Sequence, residues 1–280
     1  MPISSTSAQE IAKHVGAASG LATIAGNDIF YEALGSGPVL IFLHDGIAHS
    51  VGFAAQMAAL TGDYTTIRYD RPGYGSSKPP SVAYSDVVTL KGVFDTLGIE
   101  TAILVGGSRG GGLALDFAVA HPTSVEALIL IGAWISGLRA SDHMRNRGGR
   151  NTYGDTTAEF IEFWVTDPWL IAEENQAARA SLRQLLTDSP QNLMNFPVEL
   201  LDDTPAFPHL AEIHAPTLVL VGESDIADNH AHSGILEVSI KDSERQVITH
   251  AGHLAHMEQP DKISQLISEF LNRRVNKARA

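Results

Sequence analysis

The sequence predicts an α/β fold: a mostly parallel central sheet with helices on both faces and a small helical cap inserted after the sixth strand. Three observations predict it. Short uninterrupted apolar runs recur along the chain, among them "GPVLIFLH", "TAILVGG", "VEALILIGA" and "APTLVLVG". Such runs suit strands buried on both faces. Helical patterns alternate with them, and that order gives a parallel sheet joined by crossover helices. One stretch, residues 134–204, lacks strand-like runs and is instead frequent in Arg, Glu, Asn and Asp.

Each element has its own signal. Residues 1–20 read as a loosely held N-terminal arm. "LATIAGNDIFYEAL" reads as two short strands around a turn at Gly26-Asn27. "GPVLIFLH" and "YTTIRYD" supply the third and fourth strands. Val88, Leu90, Val93, Phe94 and Leu97 recur at helical spacing, which predicts a helix over 85–97. "TAILVGG" and "VEALILIGA" are buried strands with a helix over 108–120 between them. Within 134–204, "TAEFIEFWV" and "NQAARASLRQLL" are helical. "APTLVLVGESD" restores the strand pattern, "RQVITH" is the last strand, and "DKISQLISEFLNRRV" closes the chain as a helix. The core is therefore 21–133 with 205–280, the cap is 134–204, and no internal repeat is present.

Composition narrows the function. A chain of 280 residues with 44% hydrophobic content can bury a large core. A net charge of -13 argues against nucleic acid and anionic membranes as partners. The absence of cysteine excludes disulfides, thiolate metal sites and cysteine nucleophiles. No basic region leads into an apolar run near the start, and no apolar stretch is long enough for a bilayer. The expectation is a soluble cytoplasmic protein acting on a small molecule, its oligomeric state unread.

The chemistry concentrates in "LVGGSRGGGLAL", residues 104–115. Gly106-Gly107-Ser108-Arg109-Gly110 is G-x-S-x-G at a strand-to-helix junction. A serine on so sharp a turn needs small residues two before and two after it. The flanking buried runs exclude a flexible linker. A phosphate loop would need a Gly-Lys-Ser/Thr ending, and G-x-G-x-x-G does not fit. A serine is a weak nucleophile at neutral pH and needs a base oriented by an acid. After such an elbow the acid and then the base follow in chain order. Glu223 and Asp225 lie at the end of one later strand, and His250, His253 and His256 follow the last.

At these residues the sequence resembles the α/β-hydrolase family, from about Leu21 onward. In that family the acid commonly lies three residues after the strand-end glycine, here Gly222 to Asp225. The base follows a glycine shortly before Glu-x-Pro, here Gly252-His253 and then Glu258-Gln259-Pro260. "YDRPGYGSS", residues 69–77, resembles the family's D-x-R/P-G-x-G-x-S loop. The resemblance implies a triad of Ser108, Asp225 and His253. Glu223 is the alternative acid. Asp228 is expected as a helix N-cap, and His250 and His256 as ordinary loop and helix histidines. A metal site on Asp228, His230 and His232 is disfavoured, so no metal and no cofactor is expected.

The oxyanion hole implied by the resemblance uses the N–H of Arg109 and that of Gly46, with Ile47 as the fallback. The family usually has His-Gly in this loop, so the Asp45 of His44-Asp45-Gly46 departs from it. His44 is expected to support the loop. Pairing would relieve the cost of desolvating Asp45 and Arg109, so they are expected to touch or to share a partner. The rivals for Arg109 are a substrate carboxylate, Glu159 and Glu162. Ile47, Trp134 and Trp164 are the candidate substrate contacts. Phe160, Phe163, Trp169 and Leu170 are expected mainly as the cap's own core. Arg145, Arg147 and Arg150 are expected to form a solvated loop, with an anion site as the rival. A serine nucleophile disfavours haloalkane dehalogenases and epoxide hydrolases, which use aspartate in this fold. The leading expectation is hydrolysis of a carboxylic ester or lactone through an acyl-enzyme. A prolyl-aminopeptidase-like peptidase, a C–C bond hydrolase of a dienoic diketone acid and a slow-turnover binding protein are the alternatives.

Overall fold

The computed structural model describes residues 18–147, 156–194, 200–201 and 203–276. Residues 1–17 of the expected arm, and Arg150, lie outside them, while residues 18–20 open the first strand. Among the described residues, one sheet contains β1 (Ala18–Ile24), β2 (Asn27–Leu34), β3 (Val39–Leu43), β4 (Thr65–Tyr69), β5 (Ala102–Gly107), β6 (Val125–Ile131), β7 (Thr217–Gly222) and β8 (Ser243–Ile248). Their order is β1-β2-β4-β3-β5-β6-β7-β8. The β1–β2 hairpin and the β2–β4 pair are antiparallel, and every pair from β4 to β8 is parallel. Burial follows the residue pattern. Every residue of β5 is buried, whereas β8 ("SERQVI") is mostly half-buried and puts charges on the sheet edge, which discourages pairing with another chain.

The α-helices among the described residues are α1 (Ala54–Leu60), α2 (Asp86–Leu97), α3 (Arg109–Ala120), α4 (Asp142–Asn146), α5 (Thr157–Thr166), α6 (Gln176–Asp188), α7 (Ala227–Ser239), α8 (Ala255–Glu258) and α9 (Pro260–Leu271). Helix α2 starts where the Ser85 hydroxyl accepts from Val88 N at 3.0 Å, and it stops at Gly98 with φ 64°. One face of the sheet packs on Leu90 and Phe94 of α2, Phe117 of α3 and Leu236 of α7. The other packs on Met57 and Leu60 of α1 with Ile263, Ile267 and Phe270 of α9.

Between β6 and β7 the helices build a third apolar cluster. Ile161 and Val165 of α5 meet Leu182, Leu185 and Leu186 of α6, and this cluster rests on Ala48 and Leu254. Helix α5 opens with a capping box, in which Thr156 N donates to Glu159 Oε2 at 2.9 Å and Glu159 N donates to Thr156 Oγ1 at 3.3 Å. No helix among the described residues is long and apolar enough to cross a membrane. The loops after β3, β5, β7 and β8 all leave the C-terminal edge of the parallel strands, where open α/β sheets place ligands.

Candidate active site

Ser108 stands alone between β5 and α3, with φ 51° and ψ −114°. A non-glycine residue in such a region costs about 1–3 kcal/mol. Surrounding hydrogen bonds impose it: Ser108 N donates to Ile131 O at 2.8 Å, and Ser108 O accepts from Gly112 N at 3.0 Å. A Cβ on Gly106 would collide with the Gly110 carbonyl, and one on Gly110 with the Leu43 carbonyl. Both glycines are therefore required by close backbone packing, and the turn can project the hydroxyl clear of the sheet.

Asp225 lies three residues past the end of β7 and is buried. Its Oδ2 accepts from His253 Nδ1 at 2.8 Å, while its Oδ1 accepts from Ile226 N at 2.7 Å and Asn229 Nδ2 at 2.8 Å. Burial works against a charged imidazole, but the charge and hydrogen bond of Asp225, with Asp45 nearby, hold the His253 pKa above its ordinary value. Arg147 opposes them weakly. The loop carrying His253 is tied to the segment ahead of α6, because His253 N donates to Trp169 O at 2.8 Å and Leu254 N to Leu170 O at 3.0 Å. Ser108 and His253 line one cavity of about 340 Å³. Among the described residues no hydrogen bond joins the two side chains, and such bonds often tighten only around substrate.

The competing acids and bases are engaged elsewhere. Glu223 accepts from His250 N at 3.1 Å, and exposed His250 lies 3.4 Å from Glu174. His256 is buried, stacks on Phe53 at 4.3 Å between centroids, and is pushed down to about 4 by burial. His232 Nδ1 accepts from Ile135 N at 3.4 Å, and His230 Nε2 lies 3.3 Å from Glu223 O. The N-cap expectation for Asp228 is corrected. Ile226 is the cap of α7, and Asp228 sits in the first turn, where its carboxylate takes Ser141 N at 2.9 Å and Ser141 Oγ at 2.7 Å. Asn229 was not legible in the sequence. Its amide lies 2.9 Å from His253 Nδ1 as well as on Asp225, but an asparagine one turn into a helix carries no motif.

Arg109 N is the first N–H of α3, where no intrahelical carbonyl is available. Gly46 lies against it, since a Cβ on Gly46 would come 4.0 Å from Arg109 Cβ. Ile47 N, the fallback donor, is taken by Asp45 Oδ1 at 2.8 Å. His44 Nε2 accepts from Arg71 N at 3.0 Å, and burial pushes its pKa down to about 3, so it is a neutral acceptor within the loop.

The expected link between Asp45 and Arg109 is not formed: among the described residues no hydrogen bond or ion pair joins them, and their hydrogen-bond partners differ. Arg109 Nη2 donates to Asp86 Oδ2 at 2.9 Å, with Arg71 Nη1 3.6 Å from the same oxygen. Asp45 is captured locally, its Oδ1 accepting from Ile47 N and Ala48 N at 2.8 and 2.7 Å. The backbone N–H groups two and three residues on take up Asp45 Oδ1, and Asp86 at the start of α2 pairs with Arg109 instead. Glu159 serves its capping box, and Glu162 pairs with Arg183 at 2.6 Å.

Ile47, Trp134 and Trp164 all line the cavity, together with Leu170, Met144 and Arg147. Arg147 corrects the expectation of a solvated loop. It pairs with buried Asp167, and its guanidinium lies 6.0 and 5.4 Å from the ring centroids of Trp164 and Trp169. Arg145 turns outward to Asp142. Leu170 belongs both to the cavity wall and to the helical cluster, whereas Phe160, Phe163 and Trp169 stay off the wall, and Trp169 is exposed, which corrects the expectation that it packs in the core of the cap.

A serine strained at a strand–helix junction, with an Asp–His pair beside it on a parallel sheet, is the arrangement of the α/β hydrolases. The chain belongs to the alpha/beta hydrolase fold family, whose profile matches residues 38–260. It is 30% identical over 267 residues to a 2-hydroxy-6-oxo-6-phenylhexa-2,4-dienoate hydrolase of Comamonas testosteroni, covering 88% of this chain and 92% of that one. The fold is likewise that of the enol-lactonase from Burkholderia xenovorans LB400, with TM-score 0.77 and 21% identity over 90% of this chain and 100% of that one. It also matches the naproxen esterase from Bacillus subtilis, with TM-score 0.75 and 22% identity over 92% of each chain.

Proposed function

We propose that the protein is a serine hydrolase cleaving a small, largely apolar carboxylic ester or lactone. Ser108 Oγ attacks the carbonyl carbon while His253 Nε2 takes its proton. The oxyanion is held by the N–H groups of Arg109 and Gly46. Collapse of the tetrahedral intermediate expels the alkoxide, which leaves with the proton from His253. Water then gives a proton to His253 and attacks the acyl-enzyme, and collapse of the second tetrahedral intermediate expels Ser108 Oγ, which takes that proton back from His253 as the acid departs. Asp225 fixes the imidazole tautomer and stabilises the imidazolium.

The observation carrying this reading is the Asp225–His253 bond at 2.8 Å on the wall of the cavity that Ser108 enters from its strained turn. The cavity wall is mostly apolar, and its cations are Arg109 and Arg147. Both arginines are already paired, Arg109 with Asp86 and Arg147 with Asp167, so the wall favours an uncharged, largely apolar acyl group.

A second reading has its own support. The Comamonas testosteroni relative is named for a dienoate, and a dienoate carries a carboxylate that Arg147 could meet. That substrate would be cut at a C–C bond beside a ketone. The test compares p-nitrophenyl acetate and butyrate with a 2-hydroxy-6-oxodienoate on unlabelled enzyme, with active sites counted by fluorophosphonate labelling of a separate aliquot. Ester turnover exceeding the labelling stoichiometry, and lost in Ser108→Ala, supports the first reading. A kcat/KM for the dienoate at least about 100-fold higher than for the esters favours the second.

A further inference from the structure

We propose that Asp45 is a positioning residue for this reaction, shaping the oxyanion loop with one carboxylate oxygen and lending its charge to His253. The proposal rests on the roles given above to Ser108, His253 and Gly46. Asp45 lies between His44 and Gly46, two residues past the end of β3, and is 2% exposed.

Its Oδ1 accepts from Ile47 N and from Ala48 N, at 2.8 and 2.7 Å. Its backbone carbonyl accepts from Arg71 Nη2, and Tyr74 Oη donates to Gly46 O at 3.0 Å. The loop is thus fastened immediately before, at and after Gly46. Two of the three successive N–H groups, those of Ile47 and Ala48, are consumed by Asp45. Gly46 N makes no hydrogen bond among the described residues. The carboxylate therefore selects which N–H faces the reacting carbonyl. A glycine at 45 could not do this, because it offers the loop no acceptor.

The second carboxylate oxygen carries the other half of the argument. Asp45 Oδ2 is buried and has no hydrogen-bond partner among the described residues. A side chain needed only for the turn could be a neutral asparagine, without the desolvation cost of a buried charge. Burial raises the Asp45 pKa, but His256, the Ala48 and Ile47 N–H groups and His44 outweigh it, so the group stays ionised. His44 and Arg71 face it from the strand ends and His256 from α8, while His253, on the loop after β8, lines the same cavity as Asp45. His253 becomes positive as it takes the Ser108 proton. Asp225 and Asp45 favour that charge, and Arg147 opposes it.

The experiment measures p-nitrophenyl acetate hydrolysis against pH for wild type, Asp45→Asn, Asp45→Ala and Ser108→Ala, each first checked for a wild-type-like thermal melt. Asn keeps the acceptor and removes the charge; Ala removes both. Asp45→Ala is expected to lower kcat about 10- to 100-fold with KM within about threefold, as for a weakened oxyanion donor. Asp45→Asn is expected to recover most of that kcat. In both, the acid limb of kcat/KM should move down by about half a pH unit, because a negative charge near His253 is gone. Wild-type kcat in Asp45→Ala, equal loss in Asn and Ala, or an unmoved limb would each overturn the proposal. If alanine does not fold, the limb of Asp45→Asn decides alone. Turnover surviving in Ser108→Ala would instead overturn the nucleophile assignment, whatever the Asp45 variants do.

Discussion

Ser108 combines a hydroxyl at the cavity wall with a backbone angle of φ 51° that the neighbouring hydrogen bonds enforce. The strain belongs to the turn and not to the side chain, so Ser108→Ala should fold normally while losing about 10⁴- to 10⁶-fold in kcat. His253→Ala should lose a similar amount and Asp225→Asn somewhat less, measured by ester turnover beside a urea melt. The pH profile has a defined sign. In the proposed mechanism His253 must be neutral to accept the Ser108 proton, and its pKa is held above the ordinary value. Activity should therefore fall as pH drops through a point above about 6.5, the unperturbed imidazole value. A limb well below that would mean that burial outweighs Asp225. At this scale the legible residues were those with motif grammar: Ser108 between spaced glycines, and Asp225 and His253 at strand ends. Asn229 and Asp86 were not legible. One is an asparagine within a helix, and the other is a carboxylate 23 positions before Arg109 on a different helix, joined to it only by the fold.

Among the elements, the long buried strands declared themselves because apolar runs flanked by Gly, Pro and polar residues have few other uses. Helix α1 did not. "AAQMAAL" is short, alanine-rich and has no capping side chain, so neither its period nor its start stands out. The junction of β5 with α3 was the most legible element boundary, because close packing of backbones allows so few residues there. Gly110 leaves no room for a Cβ beneath the Leu43 carbonyl. Gly110→Ala would have to push α3 away from β3, shifting Arg109 N relative to Gly46. Overpacking of this kind typically costs about 1–3 kcal/mol. We expect Gly110→Ala to lose that much in a denaturant melt and to react with fluorophosphonate at least about tenfold more slowly than wild type. A stable variant with an unchanged labelling rate would show that this contact does not set the elbow.

On the scale of the whole molecule, the helical segment between β6 and β7 is fastened where it leaves the sheet and where it returns. Asp116 of α3 makes that clasp. Its Oδ1 accepts from Ser136 Oγ, just beyond β6, and from Ala206 N at 3.0 Å, ahead of β7. Ser136 Oγ also accepts from Ala206 N at 2.7 Å, and Ser136 O from Phe207 N at 3.1 Å. Composition marked out this segment, but the clasp was invisible, since it joins residues 20 and 90 positions from Asp116. Burial raises the Asp116 pKa to about 6 despite these donors. A carboxylate with a folded pKa above its unfolded value contributes stability that is fully present below the unfolded pKa. That contribution is lost as pH rises through the folded one. Here the window runs from about pH 4 to about pH 6 or 7. Asp116→Asn keeps the acceptor oxygen and cannot ionise. Other carboxylates titrate alike in both proteins, so the difference in unfolding free energy isolates Asp116. Wild type should lose about 2–3 kcal/mol relative to Asp116→Asn between pH 4 and pH 7, since roughly two pKa units are worth that much. Urea melts at four pH values across the window measure it. A constant difference between the two proteins would mean that Asp116 titrates as an ordinary surface carboxylate, and that the clasp holds without a buried acid.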